Sequence, residues 1–95
     1  RKLKAIVTGR LDKFRKETED WLARYNIKYN ELIMFPTERR EQRDANHVEE
    51  VGKYKADVHK RSNAIFFMES EKAEGKVIRK HSHKRVILPN DGLLL

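Results

Sequence analysis

The chain has 95 residues, no cysteine and a formal net charge of +7. A chain of this length forms one small domain that buries roughly 60–70% of the surface its unfolded form exposes. The lack of cysteine excludes disulfide frameworks, thiol nucleophiles and cysteine zinc sites. No stretch approaches the about 20 apolar residues of a membrane span, and no signal-peptide segment follows the charged start. We therefore expect a cytoplasmic protein with no membrane partner.

Basic residues concentrate near the two ends of the sequence. An excess of positive charge favours an anionic partner, such as a phosphate ester, a nucleotide or nucleic acid. Solvated surface charge explains the same residues without any partner. They are Arg1, Lys2 and Lys4 at the start, and Lys76, Arg79, Lys80, Lys84 and Arg85 near the end.

Two strands and one helix are predicted in the first half of the chain. The β-branched run Ala5-Ile6-Val7-Thr8 predicts a strand buried on both faces, and Gly9 is expected to turn the chain. A helix capped by Asp12 follows. The run Leu32-Ile33-Met34-Phe35 predicts a second strand ended by Pro36, and a polar connection covers 37–43. The apolar stripe of the helix consists of Phe14, Thr18, Trp21, Leu22 and Tyr25.

The second half continues the alternation of helices and strands. Helical spacing predicts a helix over 44–61 that ends at Ser62-Asn63, and a second helix after the strand that follows. The run Ala64-Ile65-Phe66-Phe67-Met68 predicts a third buried strand, and Val86-Ile87-Leu88 predicts a fourth that Pro89 ends. The run Asn90-Asp91-Gly92 is typical of a turn. Such alternation predicts a parallel sheet covered by helices. The apolar positions that predict the helices are Val48, Val51, Tyr54 and Val58, then Ala73, Val77 and Ile78.

Five groups of residues, taken in chain order, form a recognisable pattern. They are Ile6-Val7-Thr8-Gly9-Arg10, Glu19-Asp20-Trp21-Leu22, Tyr29-Asn30-Glu31-Leu32-Ile33-Met34, Lys55, and Glu69-Ser70-Glu71 after Phe66-Phe67-Met68. Together they resemble the haloacid dehalogenase (HAD) superfamily, above all its polynucleotide 3'-phosphatases and small acid phosphatases, and the resemblance covers nearly the whole chain. It implies a Rossmann-like α/β fold: a three-layer parallel sheet of about four strands with flanking helices, in one partial domain over residues 1–95. The implied function is hydrolysis of a phosphate monoester, such as a nucleotide or a nucleic-acid end.

The resemblance also assigns roles to individual residues. Thr8 would bind the transferring phosphoryl group, with Gly9 and Arg10 beside it on the substrate. A hydroxyl and an amide at the C-terminal end of a strand suit phosphate. Lys55 would neutralise the nucleophile and the phosphate. Acidic residues after the third strand would hold Mg²⁺, and the positions that match are Glu69 and Ser70.

Each assignment has a structural alternative. The Thr8-Gly9 pair is typical of plain turns, the stem of Lys55 can lie over the core, and Glu69 can cap a helix. The family's second acidic position is usually aspartate, so Ser70 departs from its pattern and favours a degenerate site. The rival function is a non-catalytic HAD-like interaction module that binds nucleic acid through its basic surface.

The family's nucleophile lies in an Asp-x-Asp motif that is absent here. The strand before that motif would lie between the first and third predicted strands, and without it buried backbone groups would lose their partners. We expect an upstream segment or a second chain to supply it, and the chain alone to be inactive. The start at Arg1 and the early apolar run at Leu3 indicate a piece of a longer protein.

Three further patterns are weaker. His81-Ser82-His83 would place two imidazoles on one edge of an extended segment, but two ligands make a poor metal site and a solvated turn is the simpler interpretation. Arg39 or Arg40 could lie near the substrate. Exposed aromatic side chains for base stacking are not expected, because the core is predicted to take Phe14, Trp21, Phe66 and Phe67.

Overall fold

The alternation of apolar runs and amphipathic stripes gives a mixed α/β protein. A computed structural model describes residues 3–95, and the chain falls into two units, Arg1–Glu41 and Gln42–Leu95. The predicted basic contacts of Arg1 and Lys2 lie outside the described residues. No helix in residues 3–95 is long and apolar enough to cross a membrane.

The first unit contains a parallel pair of strands and one helix. Strand β1 (Leu3–Leu11) pairs with β2 (Tyr29–Phe35), and α1 (Arg15–Arg24) connects them after a short 3-10 turn. The helix buries Leu22 against Leu32 and Met34 of β2, and half-buried apolar residues surround this cluster. Pro36 ends β2, as its sequence predicts.

Gly9 does not turn the chain, and that prediction is wrong. Strand β1 continues through Gly9 and Arg10 to Leu11, while its pairing with β2 becomes irregular after Thr8. A bulge of this kind absorbs extra residues in one strand without ending the strand. The expected burial of β1 on both faces is also wrong, because residues 5–9 are only half-buried.

Asp12 does not cap α1. Its carboxylate accepts hydrogen bonds from the backbone N–H and the hydroxyl of Thr37, and the Thr37 hydroxyl accepts the N–H of Lys13. The hydrogen bond from the Thr37 hydroxyl is the main reason why the pKa of Asp12 is lowered. Asp12 thus ties the segment after β1 to the segment after β2.

The aromatic side chains within α1 and at its two ends are not in the core. Phe14, Trp21 and Tyr25 are exposed, and only Thr18 and Leu22 of this helix are buried. A ten-residue helix on a two-stranded sheet has a narrow buried stripe, which positions four residues apart suffice to fill. The predicted helical spacing is therefore right, but the buried face of α1 is narrower than predicted.

The second unit contains three strands and two main helices. Helix α2 (Arg40–Ala45) runs across the boundary of the units and occupies part of the predicted polar connection. Next come α3 (His47–Arg61), β3 (Phe66–Met68), α4 (Lys72–Ser82), β4 (Arg85–Leu88) and β5 (Leu93–Leu94). One fully buried cluster consists of Ala56, Ile78, Val86 and Leu88, with Phe67 and Leu95 packed against it.

The strands of residues 3–95 form two sheets rather than one. The first contains β1 and β2, and the second has the order β3-β4-β5, in which β3 and β4 are parallel and β5 is antiparallel. The third strand is shorter than predicted and is not buried, since Phe66 and Met68 are exposed. Only Phe67 of β3 faces the core.

Candidate functional site

A buried lysine and two buried glutamates meet in the second unit. The Nζ atom of Lys55 lies 2.9 Å from Oε1 of Glu69 and 2.9 Å from Oε1 of Glu74. The exposed fractions of these side chains are 11%, 7% and 10%. We call these three residues the Lys55 cluster.

Each member of the Lys55 cluster comes from a different element. Lys55 occupies the buried stripe of α3, whereas Lys53 and Lys60 are exposed. Glu69 directly follows β3, and Glu74 lies in the first turn of α4. The cluster therefore joins α3 to the C-terminal end of β3, the edge of a parallel sheet where ligands usually bind.

The electrostatics of the cluster favour a charged lysine. Burial by itself lowers the pKa of Lys55, but the hydrogen bonds and charges of Glu74 and Glu69 outweigh it, so the pKa of Lys55 is raised. One ammonium faces two carboxylates. With both glutamates ionised, the cluster carries an excess of one negative charge.

Glu69 does not cap α4, which was its structural alternative. Its second oxygen, Oε2, accepts the backbone N–H of Glu71, and Glu71 itself caps the helix by accepting the N–H of Ala73. Both oxygens of Glu69 are therefore engaged, one with Lys55 and the other with the backbone.

Glu74 was missed by the sequence analysis. It lies on the same helical stripe as the apolar residues Val77 and Ile78, and it is buried. Lys55 is likewise a charged residue on the apolar stripe of its helix, and a charge in such a position is a signal that the sequence alone contains. Two such residues of opposite sign on neighbouring helices indicate a buried ion pair.

Ser70 lies outside the Lys55 cluster. It is exposed and lines a pocket of about 280 Å³ together with Met68, Glu69, Pro89 and Asn90. Mg²⁺ is usually held by one or two carboxylates together with waters and substrate phosphates. Glu69 fits such a donor set, whereas Ser70 offers a neutral oxygen on the pocket side.

Thr8, Gly9 and Arg10 belong to the first unit. The Thr8 hydroxyl accepts the backbone N–H of Arg10 at 3.1 Å, beside the irregular pairing of β1 with β2. Arg10 is exposed, and Thr8 and Gly9 are half-buried. All three lie within β1, which continues to Leu11, and not directly after the strand as predicted.

No family model, curated protein or solved structure matches this chain. The HAD resemblance and the roles of Thr8, Gly9, Arg10, Lys55, Glu69 and Ser70 therefore stay predictions. Within residues 3–95, no group of three or more histidine, aspartate or glutamate side chains is arranged to hold a metal ion.

The predicted basic surface near the end of the chain is partly used inside the fold. Lys84 is half-buried, and its Nζ donates to the carbonyl oxygens of His59 at 2.6 Å and Ser62 at 3.0 Å. It satisfies the C-terminal carbonyls of α3, a favourable place for a cation. His81 lies in the last turn of α4 instead of in an extended segment, and His83 is the left-handed residue after that helix.

The positions of Arg39 and Arg40 leave their predicted role open. Arg39 belongs to a 3-10 turn, and its guanidinium lies 5.3 Å from the centre of the Phe35 ring. Arg40 is exposed at the start of α2. Neither position tests a contact with substrate.

His59 is a buried titratable group that no predicted role uses. Its Nε2 hydrogen-bonds to the carbonyl oxygen of Arg85 at 3.1 Å, and its Nδ1 has no partner within the described residues. Its ring packs against Phe67, 5.4 Å between centres. Burial lowers the pKa of His59 below its ordinary value, the nearby Lys84 adds to the effect, and the hydrogen bond to Arg85 opposes it.

We expect acid to destabilise the protein through His59. Because the pKa is lower in the folded state, the unfolded chain binds the proton first as the pH falls below 6.5, and stability is lost from there downward. In urea unfolding from about pH 7 to about pH 5, His59→Gln should reduce the slope of the unfolding free energy against pH. The exposed His83, changed to Gln, is the control. Equal slopes for both variants would refute the prediction.

Proposed function

We propose that this chain is the C-terminal part of a HAD-like phosphohydrolase domain with a Rossmann-like core. Its substrate would be a phosphate monoester, such as a nucleotide or a nucleic-acid end. The observation that carries the proposal is the Lys55 cluster. The two positions that the resemblance assigns to phosphate and metal, Lys55 and Glu69, are in contact at 2.9 Å at the C-terminal end of β3.

The Lys55 ammonium suits the neutralisation of a phosphoryl group. Its raised pKa keeps it cationic through the neutral range, and its burial holds it in one position. A fixed charge in a poorly solvated place stabilises developing negative charge more strongly than a solvated one. In this role Lys55 faces the phosphoryl oxygens while Glu69 and Glu74 hold its Nζ.

Mg²⁺ would lie beside Glu69 in the complete domain. When bound, it would offset the negative charge of the phosphoryl group. Glu69 supplies a hard oxygen ligand, and the excess negative charge of the Lys55 cluster favours a cation nearby. Thr8 would donate its hydroxyl to a phosphoryl oxygen, with Gly9 and Arg10 beside it.

The nucleophile would come from an upstream segment or from a second chain. Among the described residues β3 pairs only with β4, and Phe66 and Met68 on this edge strand are 50% and 64% exposed. An apolar, uncharged edge strand is a template for pairing with another strand. The proposal places the strand that precedes the Asp-x-Asp motif along the free edge of β3.

The test is hydrolysis of p-nitrophenyl phosphate with Mg²⁺ by the protein encoded by the complete gene and by residues 1–95 alone. We expect turnover from the former and none from the latter. Thr8→Val should lower kcat about 10²–10³-fold, the effect of losing one donor to the transition state. Thr8→Ser keeps the hydroxyl and should retain most activity.

The outcomes separate catalysis from folding. Equal kcat for Thr8→Val and Thr8→Ser would remove Thr8 from the mechanism. A folded complete protein without turnover on p-nitrophenyl phosphate or nucleotides would overturn the phosphohydrolase proposal. It would favour the second candidate function, a non-catalytic HAD-like interaction module.

One observation favours that second candidate. The two glutamates of the cluster are both hydrogen-bonded to Lys55, and the family's second acidic position is the exposed Ser70. Such a module would bind nucleic acid through solvated cations, among which Arg79 is half-buried and Lys80 and Arg85 are exposed. Salt-sensitive, sequence-independent retention of single-stranded DNA in a filter assay would support it.

A further inference from the structure

An open, shallow pocket lies at the ends of two parallel strands. Met68 and Glu69 come from the end of β3 and the residue after it, and Pro89 and Asn90 directly follow β4. Ser70 completes the lining. In open α/β sheets ligands bind outside the carboxyl ends of the strands. The pocket therefore has the location of a ligand site, and it shares Glu69 with the Lys55 cluster.

The chemistry of the lining favours a neutral polar ligand. Both oxygens of Glu69 already accept a hydrogen bond, and Ser70 and Asn90 are the uncharged polar residues of the lining. Each of them both donates and accepts hydrogen bonds, as is required for hydroxyl groups. Met68 and Pro89 add apolar surface, and neither lysine nor arginine lines the pocket. An alcohol with apolar C–H faces matches this lining better than an anion does.

The size of the pocket limits the ligand further. Sites for small molecules usually span about 300–1,000 Å³. A volume of about 280 Å³ is just below that range and suits one ring-sized group, not a whole nucleotide.

We propose that this pocket binds the sugar ring of a sugar phosphate or nucleotide, with Ser70 and Asn90 as the residues that determine specificity. The inference rests on the proposed function and deepens it, because it names the alcohol that carries the phosphoryl group. Ser70 then contacts sugar hydroxyls instead of Mg²⁺. Asn90 acquires a role that the sequence analysis, which treated it as part of a turn, did not foresee.

The experiment is an NMR titration of the ¹⁵N-labelled chain with ribose 5-phosphate, free ribose and inorganic phosphate. The two sugars should shift the amide signals of Ser70 and Asn90, and inorganic phosphate should not. Asn90→Ala should raise the Kd for ribose 5-phosphate about fivefold, the loss of one neutral hydrogen bond. Asn63→Ala, an exposed asparagine in the loop before β3, is the matched control.

The three ligands distinguish failure of this inference from failure of the proposed function. Binding of inorganic phosphate near Lys55 with no shift at Ser70 or Asn90 from either sugar would overturn the sugar pocket and support the phosphate site. Shifts from free ribose, without any phosphate effect at Lys55, would support the pocket and count against the phosphohydrolase. An unchanged Kd in Asn90→Ala would also overturn the assignment of Asn90.

Discussion

Replacing Lys55 with methionine is expected to lower the free energy of unfolding by about 3–5 kcal/mol, because two buried carboxylates lose their cation. Methionine has an unbranched apolar side chain that replaces the stem of the lysine. The decrease in the free energy of unfolding therefore measures the loss of the ammonium group more than a change in packing. Urea unfolding followed by far-UV circular dichroism measures the change. Amide signals of β3 and α4 in NMR spectra locate it.

The neutralised cluster is the first control. In the triple variant Lys55→Met, Glu69→Gln, Glu74→Gln, no charge remains buried, and we expect most of the lost stability to return. The second control is Lys53→Met, on the same helix, whose exposed ammonium pairs with Glu49 at 3.5 Å. That change should cost at most about 0.5 kcal/mol. A Lys55→Met variant as stable as Lys53→Met would show that the carboxylates do not need their cation.

The pH dependence of the Lys55 contribution has the opposite direction to that of His59. The pKa of Lys55 is raised above its ordinary value of 10.5. Its stabilisation is therefore fully present below the pKa of the unfolded state, and it is lost as the pH rises through the higher pKa of the folded state. Near neutral pH the stabilisation by Lys55 is fully present. As the pH falls below neutral, protonation of His59 begins to lower the stability of the folded state.

The burial of a lysine and two glutamates in the Lys55 cluster needs an explanation other than stability. Buried ion clusters stabilise proteins weakly compared with apolar packing of similar volume. Stability alone is thus a poor explanation for placing an ammonium and two carboxylates between α3, β3 and α4. Their position at the C-terminal end of a parallel strand, beside a pocket, favours a role in binding. The triple variant is designed to keep the fold and lose phosphate binding near Lys55.

Local elements could be predicted because each has a local cause. Proline ends β2 and β4 where Pro36 and Pro89 stand, and helical spacing predicted α1, α3 and α4. Strand pairing depends on residues that are distant in the sequence, and the local spacing of apolar residues does not show which strands pair. The antiparallel β5, formed by Leu93 and Leu94, and the bulge after Thr8 were missed for this reason.

Burial was harder to predict than secondary structure. Periodicity shows which face of an element is apolar, but not whether another element covers that face. Phe66 and Trp21 are apolar residues on predicted elements, and both are exposed. In the site, Lys55 and Glu69 were singled out only through the resemblance, and their roles stay predictions. Glu74 was missed because the resemblance gave it no role.

A close approach of two helices provides the second large expected effect. A Cβ atom built on Gly52 of α3 would lie 2.6 Å from Cγ1 and 2.7 Å from Cβ of Val77 on α4. Atoms this close must move apart, and Val77 cannot yield by rotating a flexible end, because its Cβ is fixed to the helix backbone. Gly52 therefore permits the packing of α3 on α4, which also brings Lys55 and Glu74 together.

Gly52→Val is expected to lower the free energy of unfolding by about 3 kcal/mol, at the upper end of the cost of overpacking a core. Lys53→Val introduces the same β-branched side chain at the neighbouring exposed position, so it corrects for helix propensity. Urea unfolding of both variants gives the difference. Since separation of the helices would also lengthen the contact between Lys55 and Glu74, Gly52→Val should bring the NMR signals of Glu74 closer to those in Lys55→Met. A Gly52→Val protein as stable as Lys53→Val would show that the helices separate without cost, and that Gly52 does not fix the cluster.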